Sequence, residues 1–202
     1  MLTSLGTYAP GGALNAVFLH GWGADERDLV GLSPYLPDGL PWASVRAPLR
    51  HPSFGYAWYP LESEDSWDAA DAIGDATETL WGWVDEALGP ESRIVPIGFS
   101  QGGLMASQLL RTRPERVPAA AILSGYARSG SEAADAVLAE RRPPVFWGRG
   151  GADPVIPARA IASTAAFLGG HATAEVHEYP GLGHAVSERE LADLTRFLEA
   201  QT

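Results

Sequence analysis

The sequence predicts an α/β fold: a mostly parallel central sheet with helices on both faces. Short apolar runs alternate with longer stretches of helical periodicity, and glycine- and proline-bearing turns separate them. Strands joined through helices pair in parallel by right-handed crossovers, which cover the sheet on both sides. At 202 residues, with no internal repeat, low-complexity tract or dividing linker, the chain reads as a single domain over 1–202.

Ala13–Leu19 is the first compact apolar run, followed by a glycine-rich turn and a polar segment from Asp25 that reads as helical. Trp42–Ala47 is a second short run bounded by prolines. Asp65–Leu88 reads as a long amphipathic helix, with Ala69, Ile73, Ala76, Leu80, Trp83 and Ala87 at three- and four-residue steps, stopped by Gly89-Pro90. Arg93–Ile97 is a strand and Gln101–Arg113 a helix ending before Pro114. Ala119–Leu123 is the next strand and Ser131–Arg141 the next helix. Val145–Trp147 is entered from Pro143-Pro144, and Pro157–Leu168 is a helix with proline in its first turn, where a missing N–H costs nothing. Ala174–Tyr179 is the last strand. Glu188–Ala200 closes the pattern as a helix with Leu191, Leu194, Phe197 and Leu198 on one face.

Composition excludes several function classes. The formal net charge is −11, from 25 acids against 14 bases, and every base is arginine. An acidic chain without basic clusters is repelled by phosphate backbones and anionic lipid, so neither nucleic acid nor stable membrane association is expected. The absence of cysteine rules out a thiol nucleophile, a thiolate zinc site and disulfides. No His/Asp/Glu cluster has metal-ligand spacing, so no metal is expected. The first arginine is Arg27, no charged secretory start precedes it, and no apolar run approaches membrane-spanning length; a cytoplasmic location is the expectation.

The chemistry centres on Gly98-Phe99-Ser100-Gln101-Gly102, which fits G-x-S-x-G with an apolar strand before it and a helix after it. In that setting the serine occupies a strained strand-to-helix turn that exposes its hydroxyl at a helix N-terminus. Such a site orders its partners as serine, acid, histidine along the chain. Gly148–Pro154, after Val145–Trp147, presents Asp153; Pro180–His184, after the last strand, presents His184. His184 would take the serine proton and return it to the leaving group, and Asp153 would fix the imidazole tautomer. Taken alone, Asp153 before proline is a turn residue and His184 a loop histidine; their joint placement at two strand ends points to a triad. The competitors are less well placed: His177 lies inside the last strand, His171 in the turn before it and His51 in an early loop. Asp135 follows another strand, but on a helix whose solvated face is its expected place.

Leu19-His20-Gly21-Trp22-Gly23 follows the first apolar strand, where preorganised N–H donors must await a developing oxyanion. The backbone N–H groups of Trp22 and Gln101 are the candidate oxyanion donors. His20 is expected to pin this loop, while the Trp22 ring is either a pocket wall or a core filler. These segments, with Leu123-Ser124-Gly125-Tyr126, Gly151–Pro157 and Gly181–His184, resemble the phospholipase/carboxylesterase family of small α/β-hydrolases, related to acyl-protein thioesterases. The likeness runs in order from near residue 14 to near 198. It implies an α/β-hydrolase fold with a minimal lid or none, and hydrolysis of carboxylic esters or thioesters of modest acyl length without a cofactor. It places catalysis on Ser100, Asp153 and His184, and oxyanion binding on Trp22 and Gln101.

Two connections, 48–65 and 126–144, are placed to cover such a site. The first carries Phe54, Tyr56, Trp58 and Tyr59, where the family often has an arginine-containing aromatic stretch. Trp58 and Tyr59 are candidate substrate contacts; packing of a long loop has equal standing. A thinly covered site favours small soluble esters over lipid aggregates, so a small-molecule ester is the expected partner, and the sequence leaves open whether the protein works alone or as a homodimer. The alternatives are a hydrolase-fold binding protein without turnover, which usually loses a triad member, and a small peptidase, which usually needs a larger insertion.

Overall fold

A strand flanked by neighbours on both edges and covered on both faces reads as a near-continuous apolar run, as Ala16–Leu19 and Ile94–Ile97 do here. The computed structural model describes residues 2–51, 53–61, 63 and 65–201. Its strands are Ser4–Gly6 (β1), Leu14–Leu19 (β2), Trp42–Val45 (β3), Leu49–Arg50 (β4), Tyr56–Ala57 (β5), Arg93–Phe99 (β6), Ala120–Leu123 (β7), Pro144–Gly150 (β8) and Thr173–Tyr179 (β9). Its helices are Ala70–Ala87 (α1), Gln101–Thr112 (α2), Asp135–Arg141 (α3), Ala158–His171 (α4) and Glu188–Glu199 (α5).

Seven strands form one sheet in the order β1-β3-β2-β6-β7-β8-β9. Only β1, against β3, is antiparallel within it. Successive side chains alternate between two cores. Val17 and Leu19 of β2, Ile122 of β7 and Val145 and Trp147 of β8 join α1, α2 and α4 on one face. Ala16 and Phe18, Ile97, Leu123 and Phe146 meet Leu191, Leu194, Phe197 and Leu198 of α5 on the other. The chain runs outward from β2 to β3 in one direction and from β6 to β9 in the other. The order therefore reverses between β2 and β6, where an open α/β sheet leaves a crevice beyond its strand C-termini.

Three expected helices differ from the structure. The segment after Asp25 forms turns and a short 3-10 helix, Val30–Tyr35, because Pro34 inside it supplies no N–H for an α-helical ladder. The helix expected from Asp65 begins at Ala70, behind a separate 3-10 turn, Asp65–Asp68. The helix expected from Ser131 begins at Asp135. The Gly130 carbonyl is taken by the Arg111 guanidinium (2.8 Å), and the Asp135 carboxylate accepts the Glu132 N–H (2.8 Å), so both groups serve a turn. The β1 edge and the β4–β5 hairpin were not expected. Of the 48–65 connection, Pro52, Glu62 and Glu64 lie outside the described residues. No helix among the described residues is long and apolar enough to cross a membrane.

Candidate active site

Ser100 stands between β6 and α2 with φ 55°, a left-handed conformation that a non-glycine residue holds only when its surroundings enforce it. Close packing supplies that enforcement. A Cβ on Gly98 would lie 1.9 Å from the Gly102 carbonyl oxygen, and one on Gly102 would lie 1.9 Å from that of Leu19. Glycine at both positions lets strand and helix approach closely enough to lift the serine between them. The Ser100 N–H donates to the Leu123 carbonyl (2.9 Å), tying the turn to the end of β7.

Ser100 Oγ lies 2.9 Å from His184 Nε2, and His184 Nδ1 lies 2.8 Å from Asp153 Oδ2. Only a donor can face an ionised carboxylate, so Nδ1 carries the proton and Nε2 is left to accept from the serine hydroxyl. Asp153 also has a second occupation. Its Oδ1 accepts the N–H groups of Val155 (2.7 Å) and Ile156 (3.3 Å), so one oxygen organises the turn while the other holds the imidazole. The Asp153 side chain is buried at 4% exposure, and Phe99 packs on the His184 ring with centroids 4.9 Å apart. The Asp153 turn is set by Gly151 N–H to Tyr179 carbonyl (2.9 Å) and Ala152 N–H to Leu182 carbonyl (2.9 Å), which couple it to the histidine loop.

The loop after β2 sits beside the nucleophile: a Cβ on Gly21 would be 3.5 Å from Ser100 Cβ. His20 is buried and pins this loop. Its Nε2 accepts the Ala47 N–H (3.0 Å), which requires the proton on Nδ1, and Nδ1 donates to the Gly21 carbonyl (2.7 Å). Burial lowers its pKa, against the pull of that hydrogen bond and of nearby acids. Trp22 is 40% exposed and lines the cavity beside Ser100 and His184, so it is a pocket wall and not a core filler. Gln101 is the first residue of α2, whose opening N–H groups have no intrahelical carbonyl to bond, and it lines the same cavity.

That cavity holds about 160 Å³ and is lined by Trp22, Leu61, Trp67, Tyr126, Val155 and Gln101 around Ser100 and His184. Trp58 and Tyr59 are not among its walls. Both are buried, at 1% and 0% exposure, because their backbone and side chains are taken up in hydrogen bonds beneath the site. The aromatic stretch touches the pocket wall through Phe54, whose ring meets that of Trp22 edge-on with centroids 6.4 Å apart. Tyr126 was visible in the sequence within Leu123–Tyr126, but nothing in that motif showed that its ring would face the serine. Its hydroxyl lies 2.6 Å from that of Tyr59, and burial pushes its pKa up.

The remaining candidates lie elsewhere. His177 is on β9, 2.7 Å from Glu175, and His171 ends α4 stacked on Phe167, so it is helical and not in a turn. Asp135 is not on a solvated face. It is 8% exposed and grips the Arg111 guanidinium at 3.1 and 2.7 Å, a buried cation on α2 that needs a counter-charge.

The phospholipase/carboxylesterase family model matches residues 13–202. A probable carboxylesterase of Oryza sativa subsp. japonica is 28% identical over 173 residues, covering 78% of this chain and 65% of the rice protein, just under two thirds of its length. Acyl-protein thioesterase 1 of Cryptococcus neoformans is 24% identical over 214 residues, covering 90% of each chain. The crystal structure of the Bacillus cereus carboxylesterase superposes with a TM-score of 0.84 at 20% identity, over 100% of this chain and 95% of that one, and shares the α/β-hydrolase fold. With the parallel sheet, its switch-point crevice and a family match that spans both the loop after β2 and the histidine loop, the chain belongs to the phospholipase/carboxylesterase family.

Proposed function

We propose that this protein is a serine carboxylesterase that cleaves esters, and thioesters of similar size, through an acyl-enzyme on Ser100. The carrying observation is the unbroken line from Ser100 Oγ to His184 Nε2 (2.9 Å) and from Nδ1 to Asp153 (2.8 Å). Ser100 Oγ attacks the carbonyl carbon as its proton passes to His184, and the carbonyl oxygen becomes an oxyanion held by the Trp22 and Gln101 N–H groups. His184 then protonates the departing alcohol or thiol, leaving the acyl group on Ser100. Water repeats the sequence in reverse roles, releasing the acid and restoring the serine proton. Asp153 keeps the imidazole in the accepting tautomer and stabilises the imidazolium formed in each half-reaction.

The cavity volume of about 160 Å³ falls below the roughly 300–1,000 Å³ of sites for drug-sized ligands, which supports short or medium acyl groups. The test pairs p-nitrophenyl acetate and butyrate hydrolysis with labelling by a fluorophosphonate. The expected result is turnover and labelling in the wild type, with Ser100→Ala unlabelled and slower by about a thousand-fold or more. A ligand-binding protein without turnover would show neither signal, and undiminished turnover in Ser100→Ala would place the nucleophile elsewhere.

A further inference from the structure

The two oxyanion donors belong to separate elements, Trp22 to the loop after β2 and Gln101 to the start of α2. Donors on independent elements stabilise an oxyanion only if something fixes their separation, since a misplacement of about 1 Å can cost about a hundred-fold in rate. Resting on the esterase reading above, we infer that Trp58 and Tyr59 form a positioning strap that sets this separation, with the Gln101 carboxamide and the Trp58 indole as its two fastenings.

The strap can be followed atom by atom. Gln101 is 2% exposed, and its side chain makes two hydrogen bonds to successive residues of one extended segment. Oε1 accepts the Trp58 N–H (2.9 Å), and Nε2 donates to the Tyr59 carbonyl (2.8 Å). The residue that offers its backbone N–H to the oxyanion is therefore clamped by its own side chain. From Trp58 the connection continues through the indole, whose Nε1–H donates to the His20 carbonyl (2.9 Å), while the indole and imidazole rings lie 5.5 Å apart. His20 then passes the constraint to Gly21 through Nδ1 (2.7 Å), one residue before Trp22. The far end is anchored by the Tyr59 and Tyr126 hydroxyls, 2.6 Å apart.

Each fastening is a buried polar group bonded to partners it cannot exchange for water. Gln101 needs both an acceptor and a donor from the strap, and the peptide units of Trp58 and Tyr59 present one of each. This accounts for a glutamine beside the nucleophile and for an indole two residues into an aromatic loop, where a phenyl ring would fill the same space without donating.

The experiment uses the full-length protein with Trp58→Phe, which removes chiefly the indole N–H, and Gln101→Met, which keeps the length of the side chain and removes both of its hydrogen bonds. Steady-state kinetics on p-nitrophenyl butyrate are read with inhibition by an alkyl boronic acid, whose tetrahedral adduct mimics the oxyanion. Thermal melts confirm that each variant is folded. The expected outcome is kcat lower by about ten- to a hundred-fold with KM within about twofold, and boronate affinity falling in step with kcat/KM. Because both fastenings belong to one strap, the double variant should lose little more than the worse single one. Variants that melt earlier yet keep wild-type kcat and boronate affinity overturn the inference and leave the segment a purely structural one. A wild type that neither turns over nor labels removes the esterase reading and the strap with it, and is told apart by needing no variant at all.

Discussion

Glu190 offers a measurable test of how the sheet face behind the site is built. It lies in the first turn of α5, fully enclosed, and neither carboxylate oxygen has a hydrogen-bond partner among the described residues. It packs against β8 so closely that a Cβ on Gly148 would sit 2.2 Å from Oε1. Burial pushes this carboxyl from 4.5 up to about 7; the nearby Ser187 N–H opposes that, and the charge of Asp193 adds to it. At about 1.36 kcal/mol per pH unit, that span amounts to about 3 kcal/mol. The folded state holds the proton more tightly than the unfolded chain. Stability is therefore fully present below about pH 4.5, falls as pH rises toward about 7, and stays reduced above it. Glu190→Gln keeps the shape without the ionisation. At about pH 8 the variant should exceed the wild type by up to about 3 kcal/mol, and at about pH 4.5 the two should converge. Urea unfolding at a series of pH values, compared at unchanged m, reads this directly. Parallel stability curves for wild type and variant would refute the reasoning, since the carboxyl would then titrate alike in both states.

Asp153→Asn should reduce turnover by up to about ten-thousand-fold, because the carboxamide favours the wrong imidazole tautomer; p-nitrophenyl butyrate kinetics measure it. Asp135→Asn should leave the activity of folded protein unchanged while lowering stability by about 3 kcal/mol, because Arg111 stays buried beside a neutral partner; a denaturation curve run with the kinetic assay separates the two effects. Glu26, gripped by Arg46 at 2.6 and 2.7 Å, has its carboxyl held down at about 2, so its contribution is present above about pH 4.5 and lost as pH falls toward 2. Glu26→Gln should lack that part of the acid slope, as followed by tryptophan fluorescence.

How much of this was legible in the sequence depends on whether a feature is local. The central strands were, because Ala16–Leu19 and Ile94–Ile97 are continuous apolar runs and the sheet buries them on both faces. The Ser100 turn was legible because the glycines it needs, Gly98 and Gly102, stand in one five-residue motif, although the backbone that crowds Gly102 is that of Leu19 in β2. What escaped depended on partners far along the chain. The start of α3 is set by Arg111 reaching Gly130 from α2, and Asp135 was placed on a solvated face because its cation lies on another helix. For Trp58 and Tyr59 substrate contact and loop packing had equal standing, because composition marks a ring as apolar without telling which side of the loop it takes. Gln101 reaching across from α2, the His20 carbonyl and the Tyr126 hydroxyl hold them inward.

In the proposed triad the acid comes from the end of β8 and not from the end of β7, and the way the strand ends are joined favours that assignment. Ser100 N–H bonds the last residue of β7, and Ser124 N–H bonds the Gly148 carbonyl of β8 (2.8 Å), each link stepping one strand outward from the nucleophile. Ser124 holds φ 43° to make its step, and its Oγ donates to the Ala185 carbonyl (3.2 Å), immediately after His184. The exit of β7 is therefore occupied as a brace between the nucleophile turn, β8 and the histidine loop. A different side chain at position 124 would give up the link to the Ala185 carbonyl beside His184, while the two backbone links would stay. The exit of β8 carries no such duty toward Ser100, so its carboxylate is free to face Nδ1. Ser124→Ala should accordingly weaken the histidine loop more than its single lost hydrogen bond suggests. It should slow acylation, read as the rate of fluorophosphonate labelling, while leaving Ser100 in place; labelling at the wild-type rate would show that the brace does not reach the imidazole.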